Sequence, residues 1–428
     1  MVKTCPQHGE FLSLIYRNKE AYLASLQISK PAERPRKYFI EEYSGCPESC
    51  GLCPEHKQHT CLPIIEITDH CTMSCPICLA DNRNNYYMSP STFARIIDNL
   101  IEAEGTLEII NISGGEPTLH PNLLEILDIA NRSEIITLTI STNGKRFLED
   151  ENLLLELKKR NAFIAFQFDG FDETAYKVLR GQNVLEEKLK ILQLLEKHDI
   201  ATSLTMTVMN GVNNAEIGKV TNYFLQKDFI KSLMFQPVNF SNPNLEYSID
   251  KVITIPDIAQ EIAQGTANKI KESEIINVPC SHTSCFAATY LLKIDEGEFI
   301  PIPRLVAIND YLDIIKNRSM PGFQSSSYEK IKECIYDFWS VSGLQPESKK
   351  ILKAIKGILC ELENTGTIAE PKNLFKIAEK QLKSIFIHNF MDGYNFDFDR
   401  VVKCCHHYPK GQKKLIPCCI YNNLMRWK

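Results

Sequence analysis

The chain has no stretch approaching the ~20 consecutive apolar residues that a bilayer-spanning helix needs. Its opening, MVKTCPQHGEFLSLIY, lacks a secretory pattern: the apolar run is short and no small-residue cleavage site follows it. These absences lead us to expect a cytoplasmic protein, with peripheral contact to a membrane surface still open. No basic arm stands out and the net charge is −5, so the charge balance offers no footprint for nucleic acid. No repeat with a period of about 20–50 residues is visible beyond one duplicated cysteine spacing. Apolar residues make up 44% and charged residues 24% of the 428 positions, which fits a globular protein with a substantial core and two or three domains.

Cysteine, by contrast, is abundant, with sixteen residues. In a reducing compartment, clustered cysteines are better read as metal ligands than as disulfides. They cluster at 46–61, 71–78, 280–285 and 404–419, with Cys5, Cys334 and Cys360 apart. The spacing C-x3-C-x2-C occurs twice, as Cys46, Cys50, Cys53 and as Cys71, Cys75, Cys78. Residues 1–62 are rich in Cys, His and Pro and read as a small metal-held module. Within it Cys46, Cys50, Cys53 and Cys61 complete a four-thiolate shell without a vacancy. His56 and His59 lie between them and leave a Cys/His zinc site open beside an iron–sulfur cluster or a mononuclear iron. Cys334 and Cys360 lie on helical stretches and read as buried apolar cysteines.

From Pro63 onward the pattern changes. Short apolar runs at 64–68, 107–113, 135–141, 163–169, 203–208 and 233–238 alternate with helical stretches. This is the signature of parallel βα units and an α/β class. Six units are too few for a closed eight-fold barrel; an open barrel or a doubly wound sheet both fit. In either, active sites sit at the C-terminal ends of the strands. After about Phe240 the alternation stops, and helices such as 327–340 and 348–363 mix with Cys-bearing loops. The expected division is 1–62, 63–240 and 241–428.

Cys71, Cys75 and Cys78 follow the first strand directly. Three thiolates hold three corners of a cubane cluster and leave one iron open. A zinc knuckle lacking its fourth ligand is the competing structural account. The second strand ends in ISGGEP (112–117), where adjacent glycines allow close backbone approach and the Glu116 carboxylate can hold an ammonium group. The third ends in STNG (141–144), with Asn143 as a polar reader, and the fourth in FQFDG (166–170), with Asp169. Arg180, in YKVLRG, reads as structural, with contact to a bound cofactor or substrate as the alternative, and Gln236 is placed near the site by position alone. Each motif alone is an ordinary turn. Together they line successive strand ends.

CTMSCPIC followed by GGEP resembles the radical SAM superfamily. The resemblance implies a partial, TIM-like (βα)6 barrel and a [4Fe–4S] cluster on Cys71, Cys75 and Cys78. S-adenosylmethionine (SAM) would chelate the open iron, with Gly114, Gly115 and Glu116 at its amine, Asn143 near its carboxylate or ribose, and Asp169 on the same rim. It further implies cleavage of SAM to a 5′-deoxyadenosyl radical that abstracts hydrogen from an unactivated carbon.

Longer stretches are similar to one branch of that superfamily, namely CGLCPEHKQHTCLPIIEITDHCTMSCPIC, VPCSHTSCFAATYLL (278–292), IPRLVAINDYL (302–312) and KCCHHYPKGQKKLIPCCIYN (403–422). This branch includes class D methyltransferases of a reduced hydroxymethylpterin and archaeal tetraether lipid synthases. It implies a C-terminal auxiliary-cluster domain held by Cys280, Cys285 and two of Cys404, Cys405, Cys418 and Cys419. The branch's P-F-C ending aligns with Cys419 and makes Cys418 a departure, while Cys404 and Cys405 stay undecided. A CxxC that precedes KTCPxHG in the branch is missing, leaving Cys5 with fewer partners. The leading expectation is C–C bond formation on lipid chains. The alternatives are methylation of a pterin or other small molecule and a non-catalytic iron–sulfur electron carrier, against which GGEP and STNG speak. An electron donor such as ferredoxin or flavodoxin is the implied protein partner.

Overall fold

Two-residue alternation, rather than overall apolarity, explains how these strands build a sheet with one wet and one dry face. The computed structural model describes residues 1–31, 33–40, 45, 50–314, 348–364, 371–411 and 413–427. It opens with an antiparallel hairpin of β1 (Val2–Cys5) and β2 (Gly9–Leu12), whose turn brings Cys5 Sγ to 3.2 Å from His8 Nδ1. Six strands follow: β3 (Leu62–Thr68), β4 (Leu107–Gly114), β5 (Ile135–Thr142), β6 (Ala162–Gln167), β7 (Thr202–Val208) and β8 (Ile230–Pro237). They pair side by side in sequence order, every pair parallel. Helices such as Pro90–Glu104, Leu185–Lys197 and Ile217–Gln226 fill the crossovers. The protein is thus of mixed α/β class with a parallel sheet.

Side chains alternate between the two faces of each strand. Ile112, Ile140, Ile164, Phe166, Leu204 and Phe235 are fully buried in the main core, which also takes in crossover-helix residues such as Phe93, Ile191 and Phe224. Their neighbours Asn111, Ser113, Thr139, Ser141, Gln167 and Thr205 face a cavity on the opposite side. Local signals set the helix limits. Ahead of Pro90–Glu104, the Ser89 hydroxyl accepts from the Thr92 N–H at 3.2 Å, and Gly105 ends the helix at φ +80°.

The chain beyond residue 240 does not form a separate sheet. β9 (Ile276–Asn277), β10 (Phe286–Asp295), β11 (Glu298–Pro301) and β12 (Leu382–His388) extend one edge, with β12 parallel to β8. β13 (His406–Lys410) pairs parallel with β3 at the other edge and carries β14 (Lys414–Pro417). Both edges of the six are therefore covered, which removes exposed ladder groups. At the β3 edge, the Cys61 N–H donates to the Cys405 carbonyl at 2.9 Å.

Cys46, Cys334 and the helix expected at 327–340 lie outside the described residues. The later helix is present as Ser348–Asn364, but Cys360 on it is exposed rather than buried. The apolar stripe of that helix runs through Ile351, Ile355 and Ile358, and position 360 lies off it. Among the described residues no helix is long and apolar enough to cross a membrane.

Candidate active site

The cavity facing the polar side of the sheet has a volume of about 480 Å³. Cys71, Cys75 and Cys78 line it, together with Gly114, Gly115, Glu116, Asn143, Arg180 and Gln236. All three thiols are half-buried. Burial pushes the Cys71 thiol up to about 11, with Glu116, Cys78 and Cys75 adding to the shift. The loop supplies donors to the sulfurs: the Met73 N–H reaches Cys71 Sγ and the Ala80 N–H reaches Cys78 Sγ, each at 3.4 Å. Asn242 Nδ2 holds the same loop through the carbonyls of Pro76 at 3.1 Å and Cys78 at 2.9 Å.

The glycines of GGEP serve the loop's own backbone. Gly114 has φ +134°, and a Cβ there would lie 2.1 Å from the Thr68 carbonyl oxygen; one at Gly115 would lie 2.3 Å from that of His70. The Gly115 N–H donates to Thr68 O at 2.8 Å and the Glu116 N–H to His70 O at 2.7 Å. The end of β4 is thereby clamped to the residues just before Cys71.

Glu116 lines the cavity and is held in place by the protein itself. Its side chain is only 2% exposed and accepts four hydrogen bonds from the protein. The donors are the Thr118 N–H (3.1 Å) and hydroxyl (2.7 Å), the Thr142 hydroxyl (2.6 Å) and the Asn143 N–H (2.7 Å). The carboxylate ties STNG to GGEP at the cavity wall. The Asn143 carbonyl in turn accepts from Lys188 Nζ at 2.7 Å. Lys188 is fully buried and sits 4.8 Å over the Phe166 ring. Burial, with Arg180 adding, pushes this ammonium down to about 7.

Asp169 stands behind the rim instead of on it. It is completely buried and accepts from Arg180 Nε at 2.7 Å, Arg180 Nη2 at 2.8 Å, the Thr207 N–H at 3.1 Å and Gln167 Nε2. A bidentate pair of this kind fixes a guanidinium in one orientation. Arg180, read from sequence as structural, is the member that faces the cavity, close enough to Cys75 for the sulfur to raise its pKa further.

Sequence reasoning missed the polar strand face. The alternation in TLTIST and SLTMTV was its available signal, since hydroxyls recur every second residue. It also missed Glu66, which lines the cavity and pairs with Lys410 at 2.6 Å and Arg426 at 2.8 Å. Burial alone would raise this carboxyl, but Arg426 and Lys410 hold it below the usual range.

A second group of sulfurs lies behind β3. Cys61 Sγ is 3.3 Å from Cys280 Sγ, which is 3.6 Å from Cys405 Sγ. All three are buried, and their sulfurs lie within 4.8 Å of one another. His59 Nε2 approaches Cys61 Sγ at 3.2 Å, while His59 Nδ1 lies 3.3 Å from Glu104 Oε2. Cys61 was expected to complete a shell with Cys46, Cys50 and Cys53. Its sulfur lies beside those of Cys280 and Cys405, the latter brought to it by the β13–β3 pairing. Of the two adjacent cysteines, Cys405 lies in this trio, whereas the Cys404 thiol donates to the His406 carbonyl at 3.3 Å.

Cys50 packs with Cys419 around Met391 and Val401, and Cys285 lies within electrostatic reach of Cys419. Arg400 Nε donates to Cys285 Sγ at 3.1 Å, and the Met391 N–H to Cys419 Sγ at 3.3 Å. Cys53 and Cys418 are buried. His407 is fully buried, and neither ring nitrogen has a partner among the described residues. Soft thiolates with imidazole nearby suit iron or zinc.

Two comparisons bear on this geometry. Residues 65–224 match the Radical SAM superfamily. The 7,8-dihydro-6-hydroxymethylpterin dimethyltransferase of Methanocaldococcus jannaschii is 30% identical over 465 residues, covering 99% of this chain and 88% of that protein. The chain belongs to the radical SAM superfamily. A GTP 3′,8-cyclase of Haemophilus ducreyi is 31% identical over 156 residues, covering 34% of this chain and 44% of that one. Streptococcus suis SuiB bound to precursor peptide SuiA aligns with a TM-score of 0.43 at 15% identity, covering 60% of this chain and 57% of that one, a likeness too weak to carry an argument.

This radical SAM protein is therefore an enzyme, and its family implies a [4Fe–4S] cluster and SAM. The cavity-side triplet fits that demand on its own geometry. Three half-buried thiols share one cavity wall, N–H donors already point at two of the sulfurs, and the cavity in front of them has room for a small molecule.

Proposed function

We propose that the protein is a radical SAM methyltransferase acting on a compact heterocycle of the reduced-pterin type. The observation that carries this reading is the cavity wall. Asn111, Thr139, Ser141, Gln167 and Thr205 present polar groups from four adjacent strands into a space of about 480 Å³, within the usual range for a small-molecule site. Apolar side chains such as Ile109, Phe163, Met234 and Phe386 complete the wall, so that a few polar groups would orient a ring within a mostly apolar space. The near full-length relative named for a pterin supports the same choice, so lipid coupling, the leading expectation from sequence, gives way to the alternative.

In this proposal Cys71, Cys75 and Cys78 hold the cluster, and the six βα units form an open, barrel-like wall around it. The bound cluster and SAM supply a 5′-deoxyadenosyl radical. The chain's own residues bind, orient and shield. The backbone of Gly114 and Gly115 sets the distance between the β4 end and the cysteine loop. Glu116 braces the strand ends at the cofactor's edge, and Asn143 and Arg180 face the cavity beside it. Asn111 Oδ1 already accepts from the Thr139 hydroxyl at 3.2 Å and the Ser141 hydroxyl at 2.9 Å, which turns its amide NH₂ toward a ring acceptor. The buried sulfurs, Cys61, Cys280 and Cys405 with Cys50, Cys285 and Cys419 beside them, hold one or two auxiliary metal centres.

The test is an anaerobic incubation of reconstituted protein with dithionite, SAM, a folate-derived one-carbon donor and a reduced hydroxymethylpterin. The expected result is 5′-deoxyadenosine together with a pterin heavier by one or two methyl groups. Deoxyadenosine release without methylated pterin, accompanied by altered tail linkages in lipid extracts, would return the lipid assignment.

A further inference from the structure

We infer that Glu66 and Arg426 together read the lactam edge of the substrate ring, the carboxylate accepting from the ring N3–H and the guanidinium donating to the neighbouring C4 carbonyl. The inference deepens the proposed function and rests on the pterin reading given there. Glu66 stands on β3 and Arg426 close to the end of the chain, and both line the cavity shared by Cys71, Cys75 and Cys78. Arg426 Nη2 donates to Glu66 Oε1 at 2.8 Å, and Lys410 Nζ donates to Glu66 Oε2 at 2.6 Å. A carboxylate offers about four lone-pair sites, so each oxygen keeps room for a ligand donor. Arg426 uses one further N–H on Asn422 Oδ1 at 3.0 Å, and among the described residues the rest of its fork is left for a ligand acceptor.

Both groups are fixed before any ligand arrives. Two cations hold the carboxylate from opposite oxygens, and the guanidinium lies over the rings of Tyr408 at 5.1 Å and Tyr421 at 4.6 Å. The result is an acceptor and a donor held side by side. In a 7,8-dihydropterin the N3–H and the C4 carbonyl are likewise adjacent and lie in the ring plane, so the two pairs are complementary. An Arg fork reads the matching carbonyl edge of guanine in the same way. The surrounding wall fits a flat bicycle. Across β3 and β4, Glu66 is paired with Ser113 and Ile64 with Asn111, which puts the Asn111 amide ~6.6 Å further along the same face. Tyr408 lines the cavity as well and offers an aromatic side. Arg426 is within electrostatic reach of Cys78, so a ring held here lies near the open triplet. An apolar chain in this place would leave the remaining lone pairs and N–H groups of a buried ion pair without partners, which is costly.

The test is anaerobic equilibrium dialysis of the reconstituted protein, with SAM and without reductant, against 7,8-dihydro-6-hydroxymethylpterin and its 3-methyl derivative. The derivative lacks the N3–H and keeps the C4 carbonyl. Wild type should bind the parent pterin roughly 10–100-fold more tightly, the size expected of a hydrogen bond to a charged group. Glu66→Gln, which keeps the shape and removes the charge, should shrink that preference severalfold. Arg426→Gln should weaken both probes alike. Iron content reports whether the variants keep their fold, and the wild-type comparison stands without them. Equal affinity of wild type for the two probes overturns the inference. So does a preference that survives undiminished in Glu66→Gln, or an Arg426→Gln variant that binds the pterin as wild type does. Wild type that binds neither probe overturns the pterin reading and this inference with it, whereas binding without preference overturns this inference alone.

Discussion

Cys71, Cys75 and Cys78 sit half-buried on one loop of eight residues, at the wall of a cavity. Cys61, Cys280 and Cys405 are buried and come from three distant segments: the β13–β3 pairing brings Cys405 to Cys61, and Gln58 holds the Cys280 carbonyl beside them. The first group is local and open; the second is assembled and closed. A metal that must accept a small-molecule ligand needs the first arrangement. A metal that only passes electrons, or holds parts of the fold together, is better served by the second. The surrounding groups agree with this division. The open loop is held by backbone N–H groups that converge on its sulfurs, while the closed trio is backed by the chain His59–Glu104, the kind of outer partner that orients a metal ligand.

The sharpest way to break this contrast is Cys75→Ser. It should abolish deoxyadenosine release, by roughly a thousandfold or more, while iron bound by the buried sulfurs remains. Product chromatography with an iron count checks this, and retained release would end the division of labour. Cys280→Ala should do the reverse. Iron falls and thermal stability drops, because a metal bound only by the folded chain contributes its binding energy to folding, yet dithionite-driven cleavage persists. Loss of both functions would show that the two groups act as one.

A smaller effect is expected from Glu104→Gln. Weakening the carboxylate behind His59 should lower metal affinity at the closed site by ~10–100-fold and leave SAM binding alone, as equilibrium dialysis against each ligand would show. On the open side, Glu116→Gln removes a charged acceptor of four hydrogen bonds. It should cost about 2 kcal/mol in the stability of the strand-end network and weaken SAM binding, with the cluster's absorption intact.

The smallest effect concerns Lys188. Its ammonium is held at about 7, against an ordinary 10.5. Between those two values the unfolded chain carries a proton that the folded chain lacks, so stability rises with pH through that window. The Lys188→Met variant should show a shallower rise than wild type in urea denaturation run from pH 7 to about 10; parallel curves would mean the buried ammonium is stabilised by more than the Asn143 carbonyl.

Much of this site was legible before any coordinates. The six strands, the crossover helices and the cysteine triplet all follow from short-range patterns, because period-two and period-3.6 burial and loop spacing are local properties. Two side chains show where such reasoning stops. Asp169 and Arg180 lie eleven residues apart, and sequence alone favoured the carboxylate on the rim and the guanidinium behind it, whereas the carboxylate is buried and the guanidinium faces the cavity. Only the direction of the Glu173–Arg180 helix relative to β6 could decide between them. Glu116 is similar, since a motif names the residue without saying which way its carboxylate turns.

The sequence by itself determined that this chain carries an open three-cysteine loop at the head of a parallel α/β unit, because one continuous segment holds every group that loop needs. Which of the other cysteines meet, and which face of each strand is wet, was decided by the tertiary structure. Those contacts form between segments hundreds of residues apart, and their energy comes from strand pairing and burial that no single segment contains.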